Sequence, residues 1–206
     1  VNAVNDVPVA NASSFSTNED NEGSTTLTGN DGDPWSSAVD DQDLTFAIVS
    51  GVSNGTLSLN PSTGEVTYDP DDNYNGSDSF TFTVTDDGTT DGSSDALTST
   101  TATVSITVNA VNDVPTLTTV NSQETSEETD ITVDLSGSDV DIATNGQTLT
   151  FTATSSDPSI VAVSTTSTGS STATLSLDVQ DDANGDVTVT VEVSDGNGGT
   201  AEQDFT

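Results

Sequence analysis

Ser77 to Gly88 read SDSFTFTVTDDG. Phe80, Phe82 and Val84 alternate with Thr81, Thr83 and Thr85. A period of two puts the three large apolar side chains on one face of a strand and the hydroxyls on the other. Such a strand buries one face and wets the other, which is the habit of an antiparallel sheet in a two-layer domain. Asp86, Asp87 and Gly88 then end it in a turn.

Working outward, the same alternation predicts strands over 25–28, 44–49, 55–60, 65–69, 79–85 and 100–108 in the first half. In the second half it predicts 131–135, 149–154, 160–164, 173–177, 187–193 and 201–206. Turn residues separate them, among them Ser53-Asn54-Gly55, Asn60 to Gly64 and Asn73 to Gly76. Val187, Val189, Val191 and Val193 fall on one face and are read as core with Phe80, Phe82 and Val84. Tyr68 and Tyr74 flank a turn and are expected to pack locally, with a corner-type hydrogen bond from Tyr74. No helical periodicity is long enough to predict a helix. Six or seven short strands per half is the count of a β-sandwich, and 206 residues hold two domains of about 100 each.

VNAVNDVP occurs at Val1 to Pro8 and again at Val108 to Pro115, so the chain is a tandem repeat. TATVSIT (Thr101 to Thr107) leads into the second copy, and the similar TAEQDFT (Thr200 to Thr206) closes the chain. We therefore expect an all-β protein of two tandem sandwiches. The first covers 1–110 with its leading linker; the second covers 111–206, and its last strand is expected to continue into a next repeat.

The composition restricts function. Among 206 residues there are 35 Asp and Glu and no Lys, Arg or His, a formal net charge of -35. No side-chain salt bridge can form. Two carboxylates about 5 Å apart repel by roughly 0.8 kcal/mol even in bulk water, so clusters of them call for cations. Nucleic acid is excluded as a partner because nothing here meets phosphate, and no apolar run of about 20 residues is present to insert in a membrane. Without His, Cys or Lys there is no Ser-His or Cys-His nucleophile and no Schiff base, and an enzyme is not expected. With no Cys, metal binding must be by oxygen.

The acidic residues collect at turns and linkers. The linkers carry Asn5 with Asp6 and Asn112 with Asp113. Inside the repeats lie Glu19 and Asp20, matched by Glu127 and Glu128; Asp31 and Asp33 in NDGDP, matched by Asp139 and Asp141 in SDVDI; and Asp86 with Asp87, matched by Asp195. A D-x-D spacing outside a helix can point two carboxylates at one ion, and Asn and backbone carbonyls can complete six to eight oxygens, which suits Ca2+. Asp181, Asp182 and Asp186 read instead as turn residues. Asp40, Asp41 and Asp43 lie with Trp35 in an insertion of the first repeat and divide evenly between the two readings. Trp35 is expected to fold over one end of its own sandwich.

TNED at Thr17 to Asp20, the D-x-D pairs, SDSFTFTVTDDG and SITVNAVNDVP together make the chain similar to the immunoglobulin-like, cadherin-like domains of large repetitive bacterial surface adhesins. That resemblance covers essentially the whole chain. It implies calcium ions at the junctions between domains. The central junction would use Glu19, Asp20, Asn112, Asp113, Asp139, Asp141 and Asp195, and the outer one Asn5, Asp6, Asp31, Asp33 and Asp86. Asp69, Asp71 and Asp72 match the family's acidic motif before the penultimate strand only loosely. The expected function is a calcium-stiffened extracellular stalk, with neighbouring copies of the same repeat and other cell-surface or matrix components as partners. A filament subunit completed by strand addition is the alternative, and a ligand-binding adhesive module is a weaker third.

Overall fold

The computed structural model of the protein describes residues 4–32, 42–90 and 92–206, and the chain divides into two units, Val1–Val111 and Asn112–Thr206. Asp33, Trp35, Asp40 and Asp41, all assigned expectations from the sequence, lie outside the described residues.

In the first unit the chain forms β1 (Val9–Ala10), β2 (Ser13–Asn18), β3 (Gly23–Thr26), β4 (Gly29–Asn30), β5 (Thr45–Ser50) and β6 (Gly55–Leu59). It continues through β7 (Glu65–Pro70), β8 (Gly76–Thr85), β9 (Thr89–Thr90), β10 (Ser93–Ser94) and β11 (Ala102–Asn109). One sheet has the order β2-β11-β8-β5 and a second β3-β7-β6, while β1 pairs with β4 and β9 with β10 as two-stranded sheets. Phe80, Phe82 and Val84 of β8 point inward as the alternation requires, and Ala102, Val104, Ile106 and Val108 of β11 join them in one core with Val66 and Tyr68 of β7. Each phenylalanine so buried contributes about 1.5–3 kcal/mol. Among the described residues, all strand pairs of this unit are antiparallel except β2 with β11, which run parallel from Ser13 beside Val104 to Asn18 beside Asn109.

Several details differ from the sequence reading, beginning with the two-residue strands β1, β4, β9 and β10, which are too short for alternation to show. β2 is an additional strand: SSFSTN offers only Phe15 as a large apolar residue, too little alternation to mark it. Phe15 meets the ring of Tyr68 edge-on at 6.5 Å between centroids. Tyr68 is fully buried in the core and does not merely pack locally; its hydroxyl donates to the Asn54 carbonyl at 2.8 Å. Tyr74 does make the short-range bond, its hydroxyl donating to the Ser77 carbonyl at 2.8 Å. The Asn60 to Gly64 turn is closed by Gly64 N–H donating to the Asn60 carbonyl, with Gly64 at φ +72°, where a Cβ would lie 2.7 Å from the Leu27 carbonyl oxygen. Only glycine satisfies both conditions.

The second unit consists of β12 (Thr116–Leu117), β13 (Ile131–Ser138), α1 (Asp141–Asn145), β14 (Thr150–Ser155), β15 (Val161–Ser167), β16 (Thr172–Val179), β17 (Val189–Ser194) and β18 (Thr200–Phe205). Its sheets are β12-β13-β16-β15 and β14-β17-β18. Leu135, Leu175 and Leu177 of the first meet Phe151, Val189, Val191, Val193 and Phe205 of the second. Helix α1 departs from the expectation of no helix. Its five residues are too few for a period to show, and Gly146 at φ +68° ends it in the left-handed conformation. Asp182 sits at φ +54° in the turn the sequence assigned to it.

Candidate metal centres

Each unit gathers oxygen ligands at the end where its linker enters. In the first, β8 delivers Asp86 just past its last residue and the linker delivers Asn5; both are buried, as is Asp31. The Asn5 side-chain amide donates to Asp86 Oδ1 at 3.0 Å and to the Asp95 carbonyl at 2.8 Å. Gln42 Nε2 donates to Asn5 Oδ1 at 2.9 Å. Asp86 Oδ1 also accepts from the N–H of Leu97 at 2.8 Å and of Gly88 at 3.2 Å, whereas Asp86 Oδ2 is buried with no hydrogen-bond partner. Gly88 leaves room for this packing, because a Cβ there would fall on the Asn5 amide. Asp6 is exposed. Asp43 donates its N–H to Asp87 Oδ1 at 2.9 Å.

The second unit repeats the arrangement. Asn112 donates its side-chain amide to Asp195 Oδ2 at 2.7 Å, and Gln147 Nε2 donates to Asn112 Oδ1 at 2.8 Å. Asp195, almost fully buried after β17, also accepts from the N–H of Asn197 at 2.7 Å and of Gly199 at 3.0 Å. The Asn112 amide and those backbone donors hold its carboxyl below the usual range, against burial, which pushes it up. Asp113 donates its N–H to Asp141 Oδ2 at 2.9 Å, and carboxylate oxygens of the two residues lie within 4.8 Å of each other. The D-x-D spacing turns the chain back on itself: Asp141 N–H donates to Asp139 Oδ1 at 2.9 Å, and Asp139 Oδ2 is buried without a hydrogen-bond partner.

The remaining acidic pairs lie at the opposite end of each unit. Glu19 is 2% exposed; its carboxylate accepts from the Val111 N–H and, at 3.0 Å, from the Asn75 amide. Asp20, at φ +58°, accepts from the Asn73 N–H at 2.9 Å. Glu127 and Glu128 hold the matching places in the second unit and are exposed. Asp71 and Asp72 are exposed as well. Sequence reasoning missed Gln42 and Gln147, although a signal existed: each precedes Leu-Thr-Phe by one residue, as QDLTF and QTLTF.

The side chains gathered at these turns share one chemistry. They present carboxylate oxygens with no thiolate or imidazole, which suits a hard divalent cation, while the amides of Asn5 and Asn112 turn their NH2 groups toward those oxygens. Among the described residues, no helix is long and apolar enough to cross a membrane.

No curated protein matches the chain. Among solved structures it is similar to protocadherin gamma B7 extracellular cadherin domains 1–4, with 17% identity and a TM-score of 0.56 over 100% of this chain and 51% of that one. It is also similar to the protocadherin gamma B7 EC3–6 cis-dimer structure, at 18% and 0.59 over 97% and 51%. A third is human CDH23 EC21–23, at 18% and 0.56 over 95% and 70%. The chain thus spans about half the length of the two protocadherin chains, and the likeness is one of fold. Residues 112–206 match the family model of a bacterial Ig domain. Residues 5–110, more than half of the chain, match that of the bacterial cadherin-like domain, and the chain belongs to that family.

Proposed function

We propose that this chain is a calcium-stiffened, non-enzymatic extracellular repeat module, a structural stalk in a surface adhesin. The observation that carries the reading is the presence, at the same end of both units, of carboxylate oxygens withdrawn from water and left without a donor, Asp86 Oδ2 and Asp139 Oδ2. A buried, unpaired carboxylate oxygen costs several kcal/mol, and the sequence supplies no basic side chain to offset it. A calcium ion, which takes six to eight oxygens, removes that cost.

In this reading Asn112, Asp113, Asp139, Asp141 and Asp195 serve the second unit, and Asn5, Asp6, Asp31, Asp33 and Asp86 the first. Glu19 with Asp20, and Glu127 with Glu128, are what each repeat offers to its successor. The partners are then neighbouring copies of the repeat, together with cell-surface or matrix components. Calcium titration followed by thermal unfolding and small-angle scattering, with and without chelator, tests it. Calcium should raise the melting temperature and lengthen the particle; no change in either across millimolar calcium would remove the metal sites.

One observation favours the filament alternative. A cleft of about 840 Å³ opens in the second unit, between residues 122–127 and 183–187, with Leu177, Val187 and Phe205 in its wall. Its wall is formed by the ends of β13, β15, β16, β17 and β18, so an apolar side chain of a segment added by a neighbouring copy fits the open end of the core. The intact mass of the natural protein separates the readings: near 20.9 kDa for subunits, many times that for a covalent array.

A further inference from the structure

We infer that Gln147 is a positioning residue for cation binding: it decides which end of the Asn112 amide faces Asp195. The inference rests on the calcium reading above. As the chain stands, Asn112 turns its NH2 group toward Asp195 Oδ2 at 2.7 Å, while its oxygen accepts from Gln147 Nε2 at 2.8 Å. Gln147 Oε1 is buried and has no hydrogen-bond partner. An amide NH2 has no lone pair for a cation, so in this orientation Asn112 supplies nothing to one beside Asp195.

A carboxamide turned by 180° about its terminal bond exchanges O and NH2 with almost no change of shape. When both amides turn, Asn112 NH2 donates to Gln147 Oε1 and Asn112 Oδ1 faces Asp195. Gln147 Oε1 gains a donor while the Gln147 NH2 takes the place it held, Asn112 gives up its bond to the Asp113 carbonyl at 3.0 Å, and an oxygen stands where an oxygen shell requires one. Without the ion, the amide hydrogens are the positive group against Asp195. With the ion, Gln147 takes those hydrogens over. The first unit has the same relay, Gln42 Nε2 to Asn5 Oδ1 at 2.9 Å and Asn5 Nδ2 to Asp86 Oδ1 at 3.0 Å. Leucine at position 147 cannot take part, whereas glutamate can only accept and would hold the Asn112 NH2 permanently.

The test uses the whole 206-residue chain, 15N-labelled, titrated with CaCl2 from a chelated start. In the unsubstituted protein the side-chain NH2 signals of Asn112 and Gln147 should both move as calcium binds. Gln147→Leu should weaken calcium binding by about tenfold, the scale of losing a group that orients a metal ligand, with its melting temperature in chelator unchanged. Calcium affinity unaltered in Gln147→Leu, or NH2 signals that stay fixed while calcium binds, overturns the inference. A purely structural role would instead lower the melting temperature in chelator and leave the affinity of the folded protein alone. Should Gln147→Leu fail to fold, Gln147→Glu decides: it should bind calcium at least as tightly as the unsubstituted chain, and weaker binding sinks the proposal. If the unsubstituted chain takes up no calcium, the calcium reading itself fails, and the first titration shows this before any variant is made.

Discussion

The carboxylate of Asp78 accepts from the N–H groups of Ser53, Asn54 and Ser79 at 2.8–3.1 Å, and lies 3.4 Å from the Tyr68 hydroxyl. Burial alone would raise its pKa, but the donors from Asn54, Ser53, Ser79 and Tyr68 together hold it below the ordinary carboxylate value. The Tyr68 phenol is pushed up, chiefly by its own burial and then by the Asp78 charge. Asp78→Ala strands three backbone donors and should cost about 1–3 kcal/mol near neutral pH, measured by denaturant unfolding. Because the folded pKa lies below the unfolded one, Asp78 stabilises fully above the unfolded value of about 3.9 and loses that contribution as pH falls through the folded value. The stability gap between Asp78→Ala and the unsubstituted chain should therefore narrow below about pH 4; a gap that stays constant would contradict this role. At the same scale, the candidate ligands Asp86, Asp139, Asp141 and Asp195 were legible because two copies carry them at matching turns. Gln42 and Gln147 recur at matching places too, as QDLTF and QTLTF, but a polar residue before a strand has many ordinary uses, and what distinguishes these two is spatial: an asparagine amide from a linker far away in sequence.

At the level of elements, alternation made β7, β8, β11, β16 and β17 readable, since each places large apolar side chains on every second position. β2 escaped because its serines and threonines need only an adjacent edge, not a core of their own. The last strands of the two units show how one alignment hides a difference. TATVSIT and TAEQDFT place Gln203 where the first unit buries Val104. In β18 the Gln203 amide oxygen accepts from the Val120 N–H at 3.1 Å, and its NH2 donates to the Val120 carbonyl at 2.8 Å. Gln203 thus ties to β18 the segment that occupies the place β2 has in the first unit. Gln203→Val should leave both groups of the buried Val120 unmet, at a cost of about 1–2 kcal/mol, and speed hydrogen exchange of the Val120 amide. Unchanged exchange there would mean that packing alone holds the segment.

At the scale of the whole molecule, the net charge of -35 with no basic side chain makes every long-range electrostatic contact between side chains repulsive. Compaction concentrates that repulsion, and salt relieves it as the Debye length falls from about 30 Å at 0.01 M to about 8 Å at 0.15 M. In chelator the melting temperature should rise with NaCl over that range, and millimolar calcium should add a further rise at matched ionic strength. A melting temperature insensitive to salt would show that the charges are too well hydrated to matter. The parallel pairing of β2 with β11 has a mechanical consequence. Tension applied to the two ends of the first unit draws these strands in opposite directions along their own length. The pairs from Ser13–Val104 to Asn18–Asn109 are then sheared together, where an antiparallel terminal pair would peel open one rung at a time. The unit is thereby braced against being pulled apart along the line in which a tether is stretched.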